Sequence, residues 1–126
     1  MPGKTLPVNP KLAGVPDVEI GGTGVFKYIL CKIYEGANTN DFKYIVRGVP
    51  SAEFHADIYD VLDARLESEG IMCECVGGGK IEHDPEAKTI RIFGKSQGYG
   101  QANHEKSMQI LRDKFPAYHS VMWTND

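Results

Sequence analysis

The chain has 126 residues, of which 25% are charged and 41% hydrophobic, and a formal charge of −3. That length excludes two independent cores, and the mild acidity excludes the strongly basic balance of a nucleic-acid binder. No run of about 18 apolar residues is present to cross a membrane as a helix, and Met1-Pro2-Gly3-Lys4-Thr5-Leu6-Pro7 contains no apolar signal core, so a cytoplasmic protein is expected. Cys73 and Cys75 stand one residue apart, a spacing at which thiols rarely bridge, and with Cys31 they read as reduced.

Prolines at 2, 7, 10 and 16 make residues 1–18 read as a flexible tail, with one domain over 19–126. Residues 25–34 are β-branched and aromatic with both faces apolar, which predicts a strand central in its sheet. Residues 36–41 read as a loop and 42–47 as a second strand, broken by Gly48 to Pro50. Ser51 offers an N-cap, after which Phe54, Ile58, Val61, Leu62 and Leu66 recur at helical spacing towards a terminating Gly70. A third strand over 71–76 is expected to stop at Gly77-Gly78-Gly79, and 80–83 with 89–93 read as a hairpin. The glycine-rich stretch 94–100 leads towards a second helix, whose buried side carries Met108, Leu111 and Phe115, and residues 119–123 form a last strand. The order β-β-α-β-β-β-α-β predicts an α+β fold: a single mixed sheet of about six strands with two main helices packed on it.

Several motifs of phosphoryl chemistry are absent. A cysteine-nucleophile loop needs an arginine six residues after the thiol, but Ile81 holds that place relative to Cys75 and cannot fork onto phosphate oxygens. Gly77-Gly78-Gly79-Lys80 has neither the spacing nor the hydroxyl of a P-loop. No His, Asp and Glu cluster has two-metal spacing, so neither metal nor cofactor is expected.

What remains suits an anion. Lys27 alternates with Val25, Ile29, Cys31 and Ile33, so it shares an apolar strand face and either snorkels outwards or meets an anion. Arg47 ends the second strand, either solvated or open to a ligand. His55 falls in the first turn of the first helix, where free N–H groups and the helix dipole favour a neutral imidazole able to take a proton; a surface histidine is the alternative. His104 is spaced with Met108 and Leu111 so as to point inwards, as a hydrogen-bonded core histidine. Residues 96–100 either converge backbone N–H groups on a phosphate at a helix N-terminus or are simply a turn. Cys73 and Cys75 read as buried thiols on one strand face, and Asp57 and Asp60 as solvated or paired with a base.

In chain order, Gly24-Val25-Phe26-Lys27-Tyr28, Ile45-Val46-Arg47-Gly48, Glu53-Phe54-His55-Ala56-Asp57-Ile58-Tyr59-Asp60, Cys73-Glu74-Cys75-Val76-Gly77-Gly78-Gly79-Lys80-Ile81, Tyr99-Gly100 with His104, and Trp123-Thr124-Asn125-Asp126 closely resemble the Janus–ocnus family of small protein phosphohistidine phosphatases. The resemblance spans residues 17–126. It implies hydrolysis of the P–N bond of phosphohistidine in substrate proteins, with some reach to other phosphoramidates and neither a metal nor a covalent cysteine. It places the proton-accepting role on His55, with Ala56 beside it among the substrate contacts. Lys27 then binds substrate, Arg47 helps to hold phosphate, Ser96, Gln97 and Gly98 contact substrate, and His104 is a second histidine near the site.

Three positions depart from the family pattern. Lys80 ends a glycine-triplet loop that often ends in arginine, keeping the charge but losing the bidentate fork. Phe54, beside His55, stands where tyrosine is common, and Gln97-Gly98 replaces a bulkier, less polar pair. The expected mechanism is in-line attack by water, with His55 as general base and Lys27, Arg47 and Lys80 neutralising the phosphoryl oxygens. A monomer binding neither nucleic acid nor membrane is expected. The alternatives are a non-catalytic phosphohistidine-binding module and a phosphatase preferring phospholysine or small phosphoramidates.

Overall fold

A computed structural model of the chain describes residues 9–36 and 38–125. Strands β1 (Val18–Glu19), β2 (Gly24–Glu35), β3 (Asn38–Val49), β4 (Ile71–Asp84), β5 (Thr89–Phe93) and β6 (Ser120–Trp123) form one sheet in the order β1-β3-β2-β4-β5-β6. The β1–β3 and β5–β6 pairs are parallel and the other three antiparallel, so the sheet is mixed. Helices α2 (His55–Glu67) and α3 (His104–Lys114) pack on opposite faces, and a short α1 (Pro10–Ala13) precedes β1. This is the expected α+β class. No helix among the described residues is long and apolar enough to cross a membrane.

The period-two geometry of a strand divides β2 between two cores. Ile29, Cys31 and Ile33 pack under Ile58, Leu62 and Leu66 of α2, while Phe26, Tyr28 and Leu30 pack with Met108 and Leu111 of α3. A strand apolar on both faces must lie inside its sheet, and β2 lies between β3 and β4. α2 begins later than the Ser51 reading implies. Its N-cap position is Phe54, and the Asp57 carboxylate accepts the Phe54 N–H at 2.9 Å, so Asp57 is a capping group and Ser51 an exposed turn residue. The expected loop over 36–41 is shorter, since β3 already starts at Asn38.

Two further differences bear on the site. The expected third and fourth strands are one strand, because β4 runs unbroken through Gly77-Gly78-Gly79. These glycines do not end the strand; they thin it where neighbours press from both faces. The other difference is at the N-terminus. Residues 1–8 lie outside the described set, but residues 9–18 are packed onto the sheet. Asn9 caps α1, Leu12 is fully buried against the α2 core with Val15, and β1 pairs with β3. Proline density concealed a spacing of three between Leu12, Val15 and Val18 that places all three inwards.

Candidate active site

The glycine run of β4 is the floor of the site. A β-carbon on Gly78 would lie 2.7 Å from His55 Cδ2 and 3.1 Å from Ser96 Cβ, so α2 and the 94–100 loop meet over this residue. One on Gly79, facing the other way, would lie 2.7 Å from His104 Cε1 and 3.1 Å from Tyr28 Cε1. The strand alternation thus sets one histidine against each face of the Gly78-Gly79 peptide. Gly77 has φ +144° and abuts the Ala102 backbone, where a side chain has no room.

His55 is the first residue of α2 and is 8% exposed. Its Nε2 lies 2.9 Å from the Gly79 carbonyl oxygen. A carbonyl only accepts, so Nε2 carries the proton, and in the neutral ring Nδ1 holds the lone pair. Nδ1 has no hydrogen-bond partner among the described residues, which leaves it available for a proton. Ala56 follows in the first turn of α2, where backbone amides have no intrahelical partner.

Lys27 on β2 and Lys80 on β4 are direct Cα partners across the antiparallel pair and project to the α2 face. Like charges directly opposite on a sheet are destabilising. Among the described residues no carboxylate pairs with either lysine, so a bound anion would offset the repulsion. On the far side of Lys27 its partner is Val49.

The 94–100 loop closes on itself. Ser96 N–H donates to Gly100 O at 3.1 Å, Gly100 N–H donates to Ser96 O at 2.8 Å, and Tyr99 N–H donates to Ser96 Oγ at 3.1 Å. This leaves the amides of Gln97 and Gly98 unpaired among the described residues, while that of Ser96 is already used. Gly98 has open space around it. The expected help from a helix N-terminus behind this loop is not found, because α3 starts only at His104 and packs on the other face. Tyr99 instead meets Tyr59 of α2 edge to face at 5.8 Å, walling one side of the site.

Arg47 is not brought into this cluster. Its side chain is buried along β1, donating from Nη1 to Val46 O at 2.9 Å and from Nη2 to Pro16 O at 2.8 Å, with the Glu19 carboxylate 3.5 Å from Nε. It ties the N-terminal segment to β3. His104, as its spacing predicts, is a buried and hydrogen-bonded residue. Its Nε2–H donates to Gly94 O at 2.8 Å, so its Nδ1 accepts a hydrogen bond from the Tyr28 hydroxyl at 2.7 Å. Ser107 Oγ lies 2.9 Å from the Tyr28 oxygen and completes the network. Burial holds His104 below the usual histidine range, the Gly94 bond opposing the shift. Phe54 stands exposed beside His55.

Sequence reasoning missed Gly78 as the bed of His55, Gly79 as its acceptor, Asp57 as the cap and Tyr59-Tyr99 as the wall. Three glycines inside an otherwise apolar β pattern were the available signal for the first two.

Together these elements set His55, the Lys27–Lys80 pair and the 94–100 loop on one face of a mixed sheet. The Janus/Ocnus family profile matches residues 12–119, and the chain belongs to that family. It is 44% identical over 119 residues to the 14 kDa phosphohistidine phosphatase of Sus scrofa, covering 91% of this chain and 94% of the pig protein. The Homo sapiens protein of the same name gives the same identity and coverage. The sex-regulated protein janus-A of Drosophila yakuba is 43% identical over 107 residues, 85% of this chain and 78% of the fly protein.

Proposed function

We propose that this chain is a protein phosphohistidine phosphatase that cleaves the P–N bond by attack of water, without a metal and with His55 as general base. The observation that carries the reading is the 2.9 Å contact from His55 Nε2 to Gly79 O, which in the neutral ring leaves the lone pair on Nδ1, on the sheet face that also carries the Lys27–Lys80 pair. The phosphoryl oxygens lie against Lys27 and Lys80, and the free amides of Gln97 and Gly98 orient them. Nδ1 takes a proton from water as its oxygen attacks phosphorus, the P–N bond breaks, and the substrate ring, protonated at its other nitrogen, leaves as neutral imidazole. Such a reaction needs positioning and charge stabilisation more than covalent help. Arg47 acts at a distance, by holding β3 and the N-terminal segment together. Every group invoked comes from one chain, so a monomer suffices, and three free cysteines suit the reducing cytoplasm.

The test is phosphate release from a phosphohistidine peptide with a chelator present, comparing wild type with His55→Ala. Loss of about 10²–10⁴ in rate is expected on removing a general base. Release that stops with the chelator overturns the metal-free reading, and a loss below about tenfold overturns the role of His55. Binding without turnover would indicate a phosphohistidine-binding module instead.

A further inference from the structure

The three cysteines take no part in the reaction above, yet they converge on the α2 side of the sheet. Cys31 on β2 and Cys75 on β4 are direct Cα partners. Residues opposed in an antiparallel pair stand about 4.5–5.5 Å apart at Cα, within the roughly 4.4–6.8 Å that a disulfide spans. Cys73 lies opposite Ile33 and is therefore diagonal to Cys31, at about 7–8 Å between Cα atoms, beyond disulfide reach for the backbone although its thiol also hydrogen-bonds that of Cys31. Cys31 is fully buried and Cys75 half-buried, so a solvent oxidant meets Cys75 first. A hydrogen bond from Cys31 holds the Cys75 thiol below its ordinary value against the opposing effect of burial, which raises its thiolate fraction.

The pair also lies next to the site. The β2–β4 register slips between Leu30 and Cys31, so that Leu30 faces Gly77, Cys31 faces Cys75, and Val76 is the extra residue of a bulge. The Cys75 Sγ stands 3.6 Å from Gly77 O. Gly78 under His55 and Gly79 on its Nε2 follow directly.

We propose that Cys31 and Cys75 form an oxidation site at which a hydroperoxide closes a reversible disulfide and switches off the neighbouring catalytic site. The Cys75 thiolate attacks a peroxide oxygen, the O–O bond breaks, and the departing hydroxide leaves as water, giving a sulfenic acid. The Cys31 sulfur then attacks Cys75 sulfur, the S–O bond breaks, and the Cys31 proton leaves with the hydroxyl as a second water. Two thiols lose two electrons and one hydroperoxide is reduced. The new bond removes the Cys75 contact with Gly77 and pulls the bulge towards β2, displacing the Gly78-Gly79 bed of His55. This second effect rests on the proposed phosphatase reading.

The experiment treats the full chain with hydrogen peroxide and follows intact mass, disulfide-linked peptides and phosphate release. Expected are loss of two hydrogen masses, a peptide joining Cys31 to Cys75, and a fall in release of about tenfold to 10²-fold, all reversed by dithiothreitol. Cys75→Ser should keep its activity under peroxide, and Cys73→Ala should behave as wild type. If Cys31→Ala does not fold, the linked peptide from wild type decides the pairing alone. A Cys73–Cys75 bridge, or Cys75 over-oxidised beside a free Cys31, overturns the site. A Cys31–Cys75 bond with unchanged release overturns the switch. Should the reduced chain release no phosphate at all, the phosphatase reading and the switch that rests on it fail, while intact mass and the linked peptide still decide the bond.

Discussion

The imidazole of His55 lies so close over Gly78 that a β-carbon there would stand 2.7 Å from its Cδ2. The same β-carbon would lie 2.9 Å from the backbone oxygen of Tyr28, which cannot yield, so the ring must. Gly78→Ala should therefore tilt His55 and lower turnover by about 10²-fold, with a stability loss of about 1–3 kcal/mol from overpacking. Steady-state phosphate release and denaturant unfolding on one sample separate the two effects. Unchanged turnover in the folded variant would remove this glycine from the site.

The Lys27–Lys80 pair predicts opposite signs for stability and activity. Replacing either lysine with methionine relieves a repulsion, so the unfolding midpoint at low salt should hold or rise, while phosphate release falls by about 10²-fold or more as charge stabilisation is lost. Added phosphate should raise the wild-type midpoint and leave that of Lys27→Met unmoved. Lys80→Arg restores a bidentate fork and should improve kcat/KM. Equal stabilisation of both chains by phosphate would place the anion elsewhere.

His104 predicts a pH dependence of stability. Its folded pKa is depressed by burial, so below the unfolded value of about 6.5 the unfolded chain binds a proton that the folded chain refuses. This stabilisation is complete above about pH 6.5 and is lost as pH falls towards the depressed value. His104→Gln can still donate to Gly94 O and accept from Tyr28 but does not titrate. Urea midpoints from pH 7 to 5 should fall less steeply for the variant. Parallel slopes would mean that His104 does not drive the acid sensitivity.

Arg47 separates anchoring from phosphate binding. Arg47→Met removes the guanidinium donors to the carbonyls of Pro16 and Val46, and a loss of about 1–3 kcal/mol is expected with KM unchanged. Leu12→Ala, emptying the contact between α1 and the α2 core, should destabilise by about 2–5 kcal/mol. A raised KM at full stability for Arg47→Met would return that arginine to the phosphate.

The elements readable from sequence were those with a local physical cause. Alternating and continuous apolar runs marked β2 and β5, and the i, i+4, i+7 spacing around Met108 marked α3 and the inward turn of His104. Residues 77–79 were misread because glycine breaks a strand in isolation, whereas here two histidine rings and the Ala102 backbone occupy the space a side chain would need. The anchoring bonds of Arg47 were not legible because its acceptors, Pro16 and Val46, depend on how the N-terminal segment crosses β3.

The sequence by itself determined the mixed α+β sheet with two helices, its central strand and the residue types of the candidate site, since each follows from periodicity or from the chemistry of a side chain. Only the tertiary structure decided which cations stand together, which ring nitrogen of His55 is free, and why β4 must be glycine at its middle. Those are relations between residues far apart in the chain, set by strand register and by the close approach of packed faces.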